Sequence, residues 1–216
     1  MIGRPVDAIV LDVGETVLDR SREYADWAAF FGVPPHTFSA VFGALVSRGA
    51  TVNQVLEFFG GGRSAAELRR QRPPSVVLAE GDLYPDARPA IAALAGLGVT
   101  VAVVGNQPAE VAEQLRALEL GVAFVASSQE WGLAKPGAAF FARIAAELAL
   151  PPARIAYVGD QLANDVAAPL QAGLRAIRLR RGPWGLLTSD AELEGRCLAV
   201  IDSLAELPAV LAARPA

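Results

Sequence analysis

Residues Asp7–Asp19 read DAIVLDVGETVLD, and this stretch decides the fold. Ala8 to Leu11 form a short, unbroken apolar run with β-branched members, the pattern of a strand buried on both faces. The run stops at a carboxylate, Asp12, and Val13-Gly14-Glu15-Thr16 then turns polar and loop-like. In open parallel sheets, ligands bind just outside the carboxyl ends of the strands. Asp12 is therefore the first residue to suspect of chemistry.

Similar runs recur at Val99–Val104 (VTVAVV), Val122–Ala126 (VAFVA), Arg154–Val158 (RIAYV) and Leu174–Leu179 (LRAIRL). Segments of helical period lie between them. Ile91, Leu94 and Leu97 share a face, as do Val111, Leu115 and Leu118, and then Phe140, Phe141, Ile144 and Leu148. Gly121 stands where a helix C-cap glycine belongs, and Pro151 stops the next helix. The alternation predicts an α/β fold, a Rossmann-like parallel sheet sandwiched by helices.

One interruption follows the first strand. Between Leu18 and Pro85 no strand pattern appears, whereas Tyr24, Trp27, Ala28 and Phe31 follow helical spacing. So do Phe38, Val41, Phe42 and Leu45, and then Val52, Val55, Leu56 and Phe59 before Gly60-Gly61-Gly62. A fourth helix is expected from Ser64 to Gln71, ahead of Pro73-Pro74. The expected organisation is an α/β core at 1–19 and 85–216, split by a small all-helical cap at 20–84.

Composition excludes several classes. The 216 residues carry a net charge of −4 and no Lys/Arg-dense run, so no nucleic-acid partner is expected. Cys197 is the only cysteine and His36 the only histidine. That removes an intrachain disulfide, a Cys- or His-rich metal site and a Ser–His–Asp triad. No segment approaches the ~18 apolar residues of a membrane span, so a cytoplasmic protein without membrane contact is expected.

The remaining strand ends extend the case begun at Asp12. The second predicted strand ends at Gly105-Asn106. Lys135 follows the third, within GLAKPGAAFF, and the fourth ends at Gly159-Asp160, with Asp165 five residues further on. Clustered carboxylates share a cation or raise a pKa, and hard oxygen ligands suit Mg²⁺. Lys135 is the only lysine among 19 basic residues. A compact ammonium at this one place suits a point-charge role that a planar guanidinium fills poorly.

The segments IVLDVGETVLD, GLAKPGAAFF and AYVGDQLANDV followed by AGLRAIRLRRG resemble motifs of the haloacid dehalogenase-like hydrolases. The resemblance, which covers essentially the whole chain, implies a phosphatase-like branch with a helical cap after the first strand. It implies Asp12 as the nucleophile of an aspartyl-phosphate intermediate and Lys135 as the group that stabilises the transferring phosphoryl. Mg²⁺ would be held by Asp12, the Gly14 carbonyl and Asp160, with Asp165 supporting that shell. Gly105 and Asn106 would bind the phosphoryl group of a small phosphorylated substrate.

Two positions depart from the family pattern. Gly14 stands where its phosphatases carry a second aspartate that protonates the leaving alcohol, a function worth about 10²–10⁴ in rate. Gly105 replaces a serine or threonine, and losing one preorganised donor costs on the order of 10². Together they imply weak action on alkyl phosphates. Glu15, one position along, is the candidate substitute acid. Two alternatives stay open: a metal-free 2-haloacid dehalogenase, and a non-catalytic scaffold of the same fold. Arg20, Arg22, Arg48 and Arg63 are available to read a second anionic group on the substrate, although surface solvation is the commoner fate of such arginines.

Overall fold

The computed structural model describes residues 5–72 and 77–212, so Pro73-Pro74 lie outside the described residues. Six parallel strands form one sheet in the order β3-β2-β1-β4-β5-β6. They are β1 (Ala8–Leu11), β2 (Thr100–Gly105), β3 (Val125–Ser127), β4 (Ile155–Gly159), β5 (Arg175–Leu179) and β6 (Ala199–Ile201). The helices are α1 (Ser21–Phe30), α2 (Pro35–Val46), α3 (Val52–Phe59), α4 (Ala65–Gln71), α5 (Ala87–Gly96) and α6 (Ala109–Ala117). They continue with α7 (Ser128–Trp131), α8 (Ala138–Leu148), α9 (Ala168–Gln171), α10 (Gly182–Leu187), α11 (Ala191–Gly195) and α12 (Leu207–Ala212).

The two-residue period of a strand explains why the β1 run is apolar throughout. Ile9 and Leu11 point into one core with Ile91 and Leu94 of α5 and Leu207 of α12. Ala8 and Val10 point into the other, against Phe140, Phe141 and Ile144 of α8. Strand β1 pairs with β2 on one side and β4 on the other, Leu11 lying opposite both Val103 and Val158. A fully buried inner strand therefore delivers Asp12 to the middle of the sheet's carboxyl edge.

Two local expectations shift. Helix α6 ends at Ala117 rather than near Gly121, because Glu119 already turns left-handed at φ 49°. Arg88 then takes over the loose carbonyls of Leu118 and Glu119, at 2.9 and 3.1 Å. Strand β3 is displaced toward Ser127, where Gly105 pairs with it, though main-chain bonding to β2 already begins at Ala123. Cys197 lies half-buried in the turn before β6 and donates to the Leu193 carbonyl.

Helices α1–α4 are inserted between β1 and β2. Thr51 and Gln54 cap α3 reciprocally, and Ser64 caps α4. The entering and leaving segments pair, Asp19 N donating to Asp82 O at 2.8 Å and Tyr84 N to Val17 O at 3.0 Å. The inserted helices bury their own apolar core, built on Trp27, Phe38, Phe42, Val55 and Leu68. One member comes from elsewhere: Trp184 of α10 meets Phe42 edge-on with ring centroids 5.3 Å apart. The fully buried Arg178 of β5 donates to the carbonyls of Trp184 and Thr188, both at 3.1 Å, which seats α10. Among the described residues no single helix is long and apolar enough to cross a membrane.

Candidate active site

Asp12 continues the sheet by donating its backbone N–H to Val158 O at 2.9 Å, so its position is set by the ladder. Lys135 Nζ donates to Asp12 Oδ1 at 2.7 Å and to Asp165 Oδ1 at 2.6 Å, all three groups out of water. Asp160 follows the last residue of β4. Asp165 sits on a π-helical turn, Leu162–Ala167, a widened geometry that recurs at functional sites. Its Oδ2 accepts the Gln161 N–H at 2.9 Å. A Cβ on Gly159 would stand 2.5 Å from Asp165 Cγ, so the strand must end in glycine for this carboxylate to fold back over it.

Oxygen atoms of Asp12, Asp160 and Asp165 come within 4.8 Å of one another. Three buried carboxylates face one ammonium, and the charges set the protonation. Burial alone would favour the neutral amine of Lys135, but Asp12 and Asp165 outweigh it and hold the ammonium charged. Burial, together with Asp165 and Asp12, pushes Asp160 well above the usual carboxylate range. Both Asp160 oxygens are buried without a hydrogen-bond partner among the described residues. An excess of negative charge and an unpartnered carboxylate fit a divalent cation with oxygen ligands. The Gly14 carbonyl also accepts no hydrogen bond among the described residues, so it can join this set.

Asn106 and Gly105 are brought to the same place, with roles their spacing did not reveal. The Asn106 side chain pairs with the Lys135 main chain twice, donating to its carbonyl and accepting its N–H, each at 2.9 Å. It thus pins the lysine loop. Gly105 leaves room for the nucleophile, since a Cβ there would stand 2.6 Å from Asp12 Oδ1. Tyr157 of β4, which the strand pattern identified only as core, donates to Val104 O at 2.6 Å and has its hydroxyl 3.4 Å from Asp12 Oδ1. Lys135 Nζ lies 5.0 Å from its ring centre.

Glu15 is committed elsewhere. It takes a left-handed backbone at φ 56°, and its Oε2 accepts the Tyr84 hydroxyl at 2.5 Å. Burial raises its pKa, with the Tyr84 bond and Arg20 opposing. Of the four arginines considered from sequence, only Arg20 lines the cavity above Asp12, a space of about 870 Å³. Arg22 pairs with Asp82, and Arg63 bonds Gly60 O and Gln71. Arg69 and Arg72 of the insertion join Arg20 on the cavity wall, with Trp27 and Trp184.

A parallel sheet whose central strands lead into a lysine-linked carboxylate cluster is the core of a class of α/β hydrolase. Residues 6–173 match the haloacid dehalogenase-like hydrolase family, and the chain belongs to it. A glyceraldehyde 3-phosphate phosphatase from Methanopyrus kandleri is 31% identical over 105 residues, 47% of this chain and 45% of that protein. The chain thus matches less than half the length of that relative. An L-2-haloacid dehalogenase from Xanthobacter autotrophicus superposes with TM-score 0.66 at 18% identity, covering 97% of this chain and 100% of the other. The hydrolase YfnB from Bacillus subtilis, in a magnesium-bound structure, gives 0.70 at 18% identity over 95% and 98%. At such identities the structural likeness is one of fold.

Proposed function

We propose that this chain is a Mg²⁺-dependent phosphatase of small phosphorylated molecules, with Asp12 as nucleophile and α1–α4 as a cap over the site. The observation that carries the reading is the Asp12–Lys135–Asp165 chain beside the unpartnered carboxylate of Asp160. An Asp12 oxygen attacks phosphorus, the ester P–O bond breaks, and its electron pair leaves with the alcohol oxygen. Water then attacks the aspartyl-phosphate, releasing inorganic phosphate and restoring the carboxylate. Lys135 neutralises charge on the phosphoryl oxygens and keeps Asp12 aimed, while Asn106 and Tyr157 hold those two in place. Asp12, Asp160, the Gly14 carbonyl and Asp165 would hold Mg²⁺, which supplies further neutralisation of phosphoryl charge when bound.

Gly14 offers no proton, and Glu15 is turned to Tyr84, so esters with good leaving groups are the favoured substrates. That same gap favours a second reading, a dehalogenase, because halide departs without a proton. The unpartnered Asp160 counts against a metal-free site. Phosphate release from an aryl phosphate, acetyl phosphate and sugar phosphates, with and without Mg²⁺, decides the matter. Metal-dependent release abolished by Asp12→Asn is expected. Chloride release from 2-chloropropionate in EDTA, with no phosphate release, would establish the alternative.

A further inference from the structure

The side chain that Gly14 lacks would begin 2.8 Å from Arg20 Cδ and 3.6 Å from Arg20 Nη1. An arginine therefore fills the room beside Asp12 in which a residue-14 carboxylate would stand. Its pose is fixed: Nε and Nη2 each donate to Glu23 at 2.8 Å, and the guanidinium lies 5.0 Å from the Tyr24 ring centre. Nη1 carries no hydrogen bond among the described residues. Arg69 lines the same cavity from α4, and its side-chain partner is the neutral Asn53 Oδ1, at 2.7 Å. Burial and the Arg20 charge both lower the Arg69 pKa, so two like charges face a common space. Arg72, by contrast, is matched by Asp26 and the Trp27 ring. Glu23 takes two donors of Arg20, while Glu15 on Arg20 and Glu57 on Arg69 act through charge alone, so neither Arg20 Nη1 nor Arg69 is hydrogen-bonded to a carboxylate among the described residues.

We propose that Arg20 and Arg69 form an anion subsite facing Asp12, selecting phosphate esters whose leaving group carries a second anionic group, a carboxylate or a second phosphate. The proposal rests on the phosphatase reading, in which position 14 flanks the leaving group rather than the transferred phosphoryl. The floor of the cavity takes one anion at Lys135, and the cap takes the other at the free Nη1 edge of Arg20. A charge-assisted bond of this kind is worth about tenfold or more in affinity.

The test compares 4-carboxyphenyl phosphate with 4-carbamoylphenyl phosphate, a near-isostere without the second charge, and adds 1,4-phenylene bisphosphate to separate carboxylate from phosphate preference. We expect kcat/KM about tenfold higher for at least one ester with an anionic tail than for the carbamoyl ester. The ratio should fall to about one in Arg69→Gln and in Arg20→Met/Glu23→Gln, the latter designed to leave no buried charge orphaned. A parallel calorimetric titration of the same esters into Asp12→Asn protein reads the subsite without turnover. Turnover without discrimination would overturn the subsite and leave the phosphatase reading standing. Absence of turnover from every ester would overturn the phosphatase reading, and the binding ratio would then decide the subsite alone. A preference that survives both variants would overturn its assignment to Arg20 and Arg69.

Discussion

Asp12 Oδ1 and the missing Cβ of Gly105 compete for one space, 2.6 Å apart. The carboxylate that bonds Lys135 can hold its present pose only because residue 105 has no side chain. Gly105→Ser, which restores the family's hydroxyl, should therefore lower activity instead of raising it. A displacement of about 1 Å at a reacting group can cost on the order of 10²-fold. Steady-state phosphate release measures this, and a gain in kcat would mean that Asp12 works in another pose.

Lys135 should not be replaceable by arginine. Its ammonium reaches two carboxylates in a space 7% exposed, with the Tyr157 ring at its side. A guanidinium is larger and planar, and it cannot converge on both oxygens as a point charge does. Lys135→Arg and Lys135→Met should both lose about 10²–10³ in kcat. If arginine retained most of the activity, charge alone would be the requirement.

Removing the Asp160 charge should strengthen the metal-free fold. Asp160→Asn eliminates an unpartnered buried carboxylate, a gain of about 1–3 kcal/mol, or roughly 2–10 °C in Tm for a chain of this size. Thermal melts in EDTA should show this rise, and added Mg²⁺ should stabilise the parent protein but not the variant. Equal Mg²⁺ stabilisation of both would place the cation elsewhere.

Asp86 should give the fold part of its acid sensitivity. Its Oδ2 accepts from Arg181, from Ser203 Oγ at 2.6 Å and from Leu204 N at 2.9 Å. Burial pulls its pKa up, but these donors win and leave it below its ordinary value of 3.8. A depressed folded pKa adds stability above the unfolded value, and that stability is lost as pH falls through the folded one. Asp86→Asn should thus melt earlier than the parent at pH 7, with the gap narrowing below about pH 4. A gap independent of pH would show that packing, not charge, accounts for it.

Asp12 and Asp160 are legible in the sequence because each directly follows a strand, and Asp165 and Lys135 because they lie on the segments just beyond strand ends, where order along the chain predicts proximity. Helical period likewise marked the insertion. Partnerships across strands were not legible. Tyr157 reads as one more apolar-run residue, and only the β1–β4 register places its hydroxyl beside Asp12. Asn106 was singled out, yet its pairing with the Lys135 main chain depends on a loop path that spacing does not encode. Gly14 looked like a simple loss. Its relation to Arg20, six positions on, emerges only when the turn after β1 folds back.

Trp184 lies far along the chain from the helices whose core it completes. A cassette cut at residues 20 and 84 and moved to a foreign scaffold would leave behind the ring that meets Phe42. The donor would keep an indole facing water, and the recipient would inherit a hollow. Moving the inserted helices with their core intact therefore requires two cuts in this chain, one for the insertion and one for the Gly182–Leu187 helix. Substitutions in either stretch are expected to tolerate one another only as a matched pair.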